Sequence, residues 1–407
     1  MTSQSSPSSP APSPSMREPV RFAPWPSFRE DEIDAVANVL RSGKINYWTG
    51  EHGRAFEAEY ASALNRRHGI ALANGTLALE LALHAFGIGS GDEVVTTSRT
   101  FIASASAAVM RGATPVIADV DRDSQNVTAE TLAACITPRT RALIVVHLAG
   151  WPCDMPSIMQ LAEAHDLIVI EDCAQANGAT IDGRPVGSFG HAAAFSFCQD
   201  KIITTGGEGG LLALDDEDAW KRAWAYKDHG KSYDAVYERD HPPGFRWLHE
   251  SFGTNWRMTE MQAVIGRMQL ARLDETVADR NRHAAILRDG FGDVPGLRVP
   301  QEPERARHAY YKFYAFVEPD ALAPGWDRDR IMTTVTEAGV PCFSGSCSEI
   351  YRELAFVEAG LGPSAPLPVA AELGETSLMF LVHPTLDEAA LRATVDVVAD
   401  AMSDACR

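Results

Sequence analysis

Lys201 sits at the end of Ala194-Phe195-Ser196-Phe197-Cys198-Gln199-Asp200-Lys201, and Ile202-Ile203-Thr204-Thr205 carries the chain on into Gly206-Gly207-Glu208-Gly209-Gly210. Upstream, the apolar run Leu167-Ile168-Val169-Ile170 ends in Glu171-Asp172-Cys173-Ala174-Gln175-Ala176. An amine between an apolar segment and a glycine-rich stretch can be approached closely by a ligand, because glycine leaves the backbone uncovered. An acid at the carboxyl end of a buried strand lies on the side where open α/β sheets bind ligands. This combination suits pyridoxal 5′-phosphate. That cofactor asks for an amine to condense with its aldehyde, an anion at its pyridine nitrogen, a phosphate cradle and a flat surface against its ring.

Each demand has a residue to meet it. Lys201 is the amine; the plainer alternative is a hairpin turn carrying a solvated lysine. Asp172 is the anion that keeps the pyridine nitrogen protonated, with a simple helix cap as its alternative. Glu171, its neighbour in a strand, points to the opposite face and takes a structural role. Gln175, three residues on, is within reach of the phenolic oxygen of the ring. Asn74-Gly75-Thr76-Leu77 opens a helix, whose first N–H groups and dipole attract a phosphate. Thr76 adds a hydroxyl there, and Ser196 supplies another from across the sheet. Phe101, after Ser98-Arg99-Thr100, is the candidate to lie over the ring, although an aromatic at a strand end also serves a core.

These residues need a frame, and the hydrophobic pattern supplies one. Short β-branched runs predict strands at 93–97, 115–119, 142–147, 167–172, 193–197 and 210–214, with helical stretches at 77–86, 104–111, 129–135 and 157–164 between them. Such alternation gives an α/β fold with a mostly parallel sheet covered by helices on both faces. Before it, 28–42 reads as a helix ended by Gly43. After it, 215–250 is polar and reads as a surface excursion, and Thr259 opens a long helix. A second unit begins beyond Asp293-Val294-Pro295-Gly296, with strands near 311–317 and 379–382 and a helix near 328–337. Its last helix runs from Leu386, with Thr385 and Glu388 as a capping box. The expected organisation is a Ser/Pro-rich tail over 1–20, a large domain over 21–290 and a smaller α+β domain over 291–407. The tail composition buries too little apolar surface to fold.

Composition narrows the function further. A net charge of −19 opposes non-specific nucleic-acid binding, which needs a basic surface, and offers nothing to an anionic membrane. No apolar run is long enough to span a bilayer, and the start of the chain lacks the basic and apolar regions of a signal peptide. The seven cysteines make no Cys-x-x-Cys pair, so neither a zinc site nor a disulfide framework is indicated and a cytoplasmic location is expected.

From about Pro24 to about Leu391 the chain resembles the sugar aminotransferases of the DegT/DnrJ/StrS type. The markers are Asn74-Gly75-Thr76, Val146-His147-Leu148-Ala149-Gly150-Trp151-Pro152, the Glu171–Ala176 segment, Gly187-Ser188-Phe189-Gly190, Ser196 through Lys201, Thr205–Gly210, and Gly253-Thr254-Asn255-Trp256-Arg257-Met258-Thr259-Glu260-Met261-Gln262. The set in this order carries the resemblance. It implies fold type I of the pyridoxal-phosphate enzymes and a homodimer with shared active sites. By matching position it makes Lys201 the Schiff-base lysine, Asp172 the partner of the pyridine nitrogen and Gln175 a ring contact. Thr76, Leu77 and Ser196 become phosphate contacts, and Asn255 and Arg257 reach the neighbouring subunit's cofactor.

The resemblance also implies the reaction: L-glutamate gives up its amino group, and a nucleotide-linked 3- or 4-keto sugar receives it. A branch of the same family carries His in place of this lysine and dehydrates instead, so Lys201 favours amino transfer. Keto-cyclitol amination and a catalytically silent cofactor-binding regulator are the competing readings. Two departures stand out. Cys173 occupies a position where alanine is usual, and Phe343-Ser344-Gly345-Ser346-Cys347-Ser348-Glu349 lacks the His/Pro-rich pattern of the family. His147, Trp151, His308, Tyr310, Lys312 and His383 are further candidates to line the sugar site, each with an equally ready structural role.

Overall fold

Seven strands assemble into one sheet: β1 (His68–Leu72), β2 (Glu93–Thr97), β3 (Thr114–Ala118), β4 (Thr140–Val146), β5 (Ile168–Asp172), β6 (Ala192–Ser196) and β7 (Gly210–Leu214). The structure is a computed structural model that describes residues 21–241, 243–244 and 246–406; the tail expected over 1–20 lies outside them. Strand order is β1-β7-β6-β5-β4-β2-β3, and only β7 runs antiparallel to its neighbours. The carboxyl ends of β2, β4, β5 and β6 therefore open on one edge, where Phe101, Asp172 and Ser196 follow or end their strands.

Side-chain alternation divides the core in two. Ile70, Leu72, Val94, Ile144, Ile170 and Leu212 pack on one face, under the helices Gly75–Ala85, Ala103–Met110 and Glu217–Lys227. On the other face, Ala71, Ala193, Phe195 and Leu211 meet Phe56 and Tyr60 of the His52–Ala63 helix, while Val95, Leu143 and Val169 meet Ile158 and Ala162. With both faces covered, every residue of β2, β6 and β7 is buried.

Three expectations need correction. His68–Leu72 is a strand that the sequence pattern did not announce; His68 and Gly69 dilute its apolar content, and it forms by pairing with β7. The 215–250 stretch is not all surface, because the helix Glu217–Lys227 buries Ala219, Ala223, Trp224 and Lys227 against the sheet. The last helix is Glu388–Ala405, capped by the Asp387 carboxylate, which accepts from the Ala390 N–H at 2.8 Å. Thr385 instead donates its hydroxyl to the Pro24 carbonyl.

Beyond the long helix Leu273–Phe291 a second sheet forms from β8 (Leu297–Arg298), β9 (Phe313–Val317) and β10 (Ser377–Phe380), all antiparallel in that order. Phe291, Phe313 and Phe380 make its aromatic centre, enclosed by the helices Arg328–Glu337 and Glu388–Ala405. The early segment joins this unit: Phe22 packs on its core, Trp25 stacks on His383, and the Trp25 indole N–H donates to the Lys201 carbonyl at 3.1 Å. No helix among the described residues is long and apolar enough to cross a membrane.

Candidate active site

The sheet edge and the second unit enclose a cavity of about 990 Å³ lined by Lys201, Asp172, Gln175, Thr76, Ser196 and Phe101. Six of the residues singled out from sequence thus meet in one place, although they are spread over 125 positions from Thr76 to Lys201. Leu77 is not among the lining residues; its N–H donates to the Asn74 carboxamide at 3.0 Å as part of the helix cap. Asn255 and Arg257 also lie outside this cavity. Arg257 pairs with Asp228 of its own chain, and Asn255 bridges to the same residue through the backbone.

Asp172 ends β5 and is 4% exposed. Its two oxygens accept from the Ser104 hydroxyl at 2.8 Å and the Ala174 N–H at 3.1 Å. Burial raises its pKa, while those hydrogen bonds and the charge of Lys201 pull the other way without cancelling the shift. A cation placed against this carboxylate would restore its ionised form. Glu171 points to the opposite side, as expected, and accepts from the N–H groups of Gly187, Phe189 and Gly190 at 2.7 Å each. His147 faces it at 3.2 Å and accepts from the Cys153 N–H through Nδ1, which leaves Nε2 as the donor to Glu171. This pair fixes the loop that follows β4.

That loop matters because Ala149 directs Gln175. The Ala149 N–H donates to Gln175 Oε1 at 2.7 Å, which leaves the amide NH₂ as the group offered to the cavity. At the other end of the cavity, the Gly75–Ala85 helix begins against Ser196. A Cβ built on Gly75 would stand 2.7 Å from the Ser196 Cβ, so only glycine lets the helix start and the serine come together. The free N–H groups of that first turn, Thr76 and Ser196 form a cradle of donors for an oxyanion. Phe101 lines the same cavity yet remains 68% exposed, so its ring is available to stack on a flat ligand.

The structure adds residues that sequence reasoning passed over. The ε-amine of Lys201 lies 3.4 Å from the Tyr311 hydroxyl, which donates to Asp200. Burial, then Asp200, keep the Tyr311 phenol protonated by raising its pKa well above the usual value. Burial pushes Asp200 up, but Lys201, the Tyr311 hydrogen bond and Lys312 outweigh it and hold the carboxylate below its ordinary range. Asp200 stood beside Lys201 in the sequence; Tyr311 and Ser104 had no sequence signal beyond residue type. Of the six residues weighed for the sugar site, Lys312 alone lines the cavity. Trp151 packs edge-on against His308, Tyr310 bonds to Glu302 and Arg288, and His383 stacks on Trp25.

This donor set fits pyridoxal phosphate. Asp172 answers a protonated ring nitrogen, the Gly75 turn with Thr76 and Ser196 answers a phosphate, and the Gln175 NH₂ answers the ring oxygen. Lys201 supplies the amine and Phe101 the flat face. When bound, the cofactor provides an electrophilic carbon and a ring that withdraws electrons from the substrate's Cα–H bond. With the cofactor in place, the chain's part would be to keep that ring charged through Asp172, to hold it flat, and to carry a proton to and from the substrate on Lys201 Nζ.

Comparison with known proteins agrees. An X-ray structure of the aminotransferase from Psychrobacter cryohalolentis is 55% identical, with a TM-score of 0.93 over 95% of this chain and 100% of that one. GDP-perosamine synthase of Caulobacter vibrioides is 45% identical over 65% of this chain and 70% of its own. UDP-N-acetyl-3-dehydro-alpha-D-glucosamine 3-aminotransferase of Acidithiobacillus ferrooxidans is 35% identical over 93% of this chain and 94% of its own. Residues 26–399 match the DegT/DnrJ/EryC1/StrS aminotransferase family. The chain belongs to that family and is a pyridoxal-phosphate-dependent aminotransferase.

Proposed function

We propose that this aminotransferase moves an amino group from L-glutamate to a 3- or 4-keto sugar carried on a nucleotide, in amino-sugar biosynthesis. The observation that carries the reading is the placement of Lys201 Nζ in a cavity that also holds Asp172, Gln175 and the Gly75 turn. Two relatives at 45% and 35% identity bear names that specify nucleotide-sugar products or substrates, which supports the acceptor class. A cavity of about 990 Å³ also leaves room beyond the cofactor for a sugar. The protein works in the cytoplasm as a homodimer, in which Asn255 and Arg257 of each subunit complete the partner's site and Leu77 supports the phosphate turn. The large domain spans 21–290 and the small domain 291–407.

The test is spectroscopic. L-glutamate added to the cofactor-loaded protein is expected to abolish the visible absorption of cofactor joined to Lys201, and a keto sugar nucleotide to restore it. Lys201→Ala is expected to bind cofactor without that absorption and without turnover. A visible band that ignores L-glutamate but responds to another amine would remove glutamate as donor. Full turnover by Lys201→Ala would refute the role of the lysine.

A further inference from the structure

Three groups share Asp200, two of them cations. Its carboxylate accepts the Tyr311 hydroxyl, lies 3.9 Å from Lys312 Nζ and feels the charge of Lys201. Behind them Arg280 is 1% exposed and donates to the carbonyls of Tyr310 and Tyr311 at 3.2 Å each. Its Nε and second terminal nitrogen have no hydrogen-bond partner, and no ion pair ties it to any described residue. A buried guanidinium in that state adds positive charge to the wall in front of it. Lys312 is that wall. It precedes β9, and Tyr314, two residues on, lines the same cavity, while Phe313 between them enters the core. Among the described lining residues, Lys201 and Lys312 are the only cations.

Lys201 is committed to the cofactor and to proton transfer, so Lys312 is the charge that remains. Both ammonium groups lie close to the Tyr311 ring, at 4.6 Å for Lys201 and 4.8 Å for Lys312. The two substrates of an aminotransferase of this kind each bring an oxyanion to such a place: the donor a carboxylate, the sugar nucleotide a diphosphate. We infer that Lys312 is the chain's own anchor for a substrate oxyanion, backed by Arg280 and held in position by Asp200. The inference rests on the proposed reaction for its choice of ligands. A compact ammonium on a flexible stem suits a site that receives two different anions in turn.

Calorimetric titration of the cofactor-loaded protein tests this without turnover, with maleate as the dicarboxylate probe and UDP and GDP as the diphosphate probes. Lys312→Met keeps the stem and removes the charge. It is expected to weaken at least one probe class, and both if the two anions share the site, by roughly ten- to a hundred-fold, the size of a lost charge-assisted hydrogen bond. Weaker maleate binding assigns the anchor to the donor carboxylate; weaker UDP or GDP binding assigns it to the nucleotide. Lys312→Arg, which keeps the charge, is expected to bind within a few-fold of the unmodified protein. Equal losses in both variants would mean a packing effect and overturn the anchor. So would unchanged binding in Lys312→Met, or a parent protein that binds none of the probes. A parent protein that binds maleate in a Lys312-dependent way but never reacts with L-glutamate would remove the proposed donor and leave the anchor standing.

Discussion

The ε-amine of Lys201 and the phenol of Tyr311 stand 3.4 Å apart, although 110 residues separate them in the chain. The phenol is anchored in turn by Asp200, so the lysine meets an oxygen whose own proton is already committed. With Lys201 in its proposed role, that oxygen would be an acceptor for the amine whenever the lysine is not joined to the cofactor. Tyr311→Phe keeps the ring and deletes the acceptor. The rate of the glutamate half-reaction is expected to fall by roughly ten- to a hundred-fold, the equivalent of about 1.5–3 kcal/mol for a hydrogen bond to a charged group. The thermal midpoint should move little, because the ring still packs. Stopped-flow absorbance measures the rate, and an unchanged value would remove Tyr311 from the mechanism.

Asp172 must be ionised to keep a ring nitrogen protonated, and burial works against that by raising its pKa. The Ser104 hydroxyl, 2.8 Å away, is the foremost hydrogen bond opposing the shift. Activity that depends on this carboxylate is present above its folded pKa and is lost as pH falls through it. Ser104→Ala removes a lowering influence, so the acid limb of the half-reaction's pH profile is expected to move to higher pH. Asp172→Asn removes the charge at every pH and should cost roughly 10²–10³-fold, comparable to a deleted charge-stabilising group. An acid limb that stays in place in Ser104→Ala would show that another group sets it.

What the sequence made legible follows from where the information lies. Asp172 ends a strand, Thr76 starts a helix, and Gln175 and Lys201 stand in the turns that follow strands, so local pattern found both the element and the residue. Ser104 reaches the cavity from the Ala103–Met110 helix, where it meets Asp172 of β5, and Tyr311 because the second unit closes on the sheet; no spacing within one segment records either. β1 escaped for a related reason: His68 and Gly69 lack β-branched character, and the strand exists through its pairing with β7. The Glu217–Lys227 helix escaped because its buried Lys227 reads as surface until Glu57, 170 residues earlier, is placed against it. The Thr385 capping box was a local signal that lost to Asp387, two residues on, whose carboxylate reaches the Ala390 N–H.

The Gly75 turn yields a prediction about packing and binding together. Gly75→Ala would place a Cβ 2.7 Å from Ser196 Cβ and 3.1 Å from its Cα, so the helix start must move away from β6. Overpacking of this kind costs about 1–3 kcal/mol. The same displacement pulls the first-turn N–H groups and Thr76 away from Ser196 and opens the phosphate cradle. Cofactor affinity should therefore fall along with the thermal midpoint of the unloaded protein. Titration with pyridoxal phosphate beside a melting curve checks both, and a loss of stability with unchanged affinity would separate the turn from the cradle.

Lys227 provides the sharpest stability test, since its side chain is fully buried. Its ammonium meets Glu57 at 3.0 Å and lies 4.0 Å from the centre of the Tyr47 ring. Glu57 in turn accepts from the Tyr47 hydroxyl at 3.0 Å and the Ala71 N–H at 2.9 Å, so the pair binds the His52–Ala63 helix to β1. Lys227→Met retains the volume but strands a carboxylate in the interior, which costs about 3–5 kcal/mol. The exposed pair Arg267–Glu59 is the control. Arg267→Met is expected to cost less than about 1 kcal/mol, because water screens and replaces a surface ion pair. Denaturant unfolding of the two variants should thus differ by several-fold in the stability lost, and comparable losses would mean that Glu57 finds its remaining partners sufficient without the lysine.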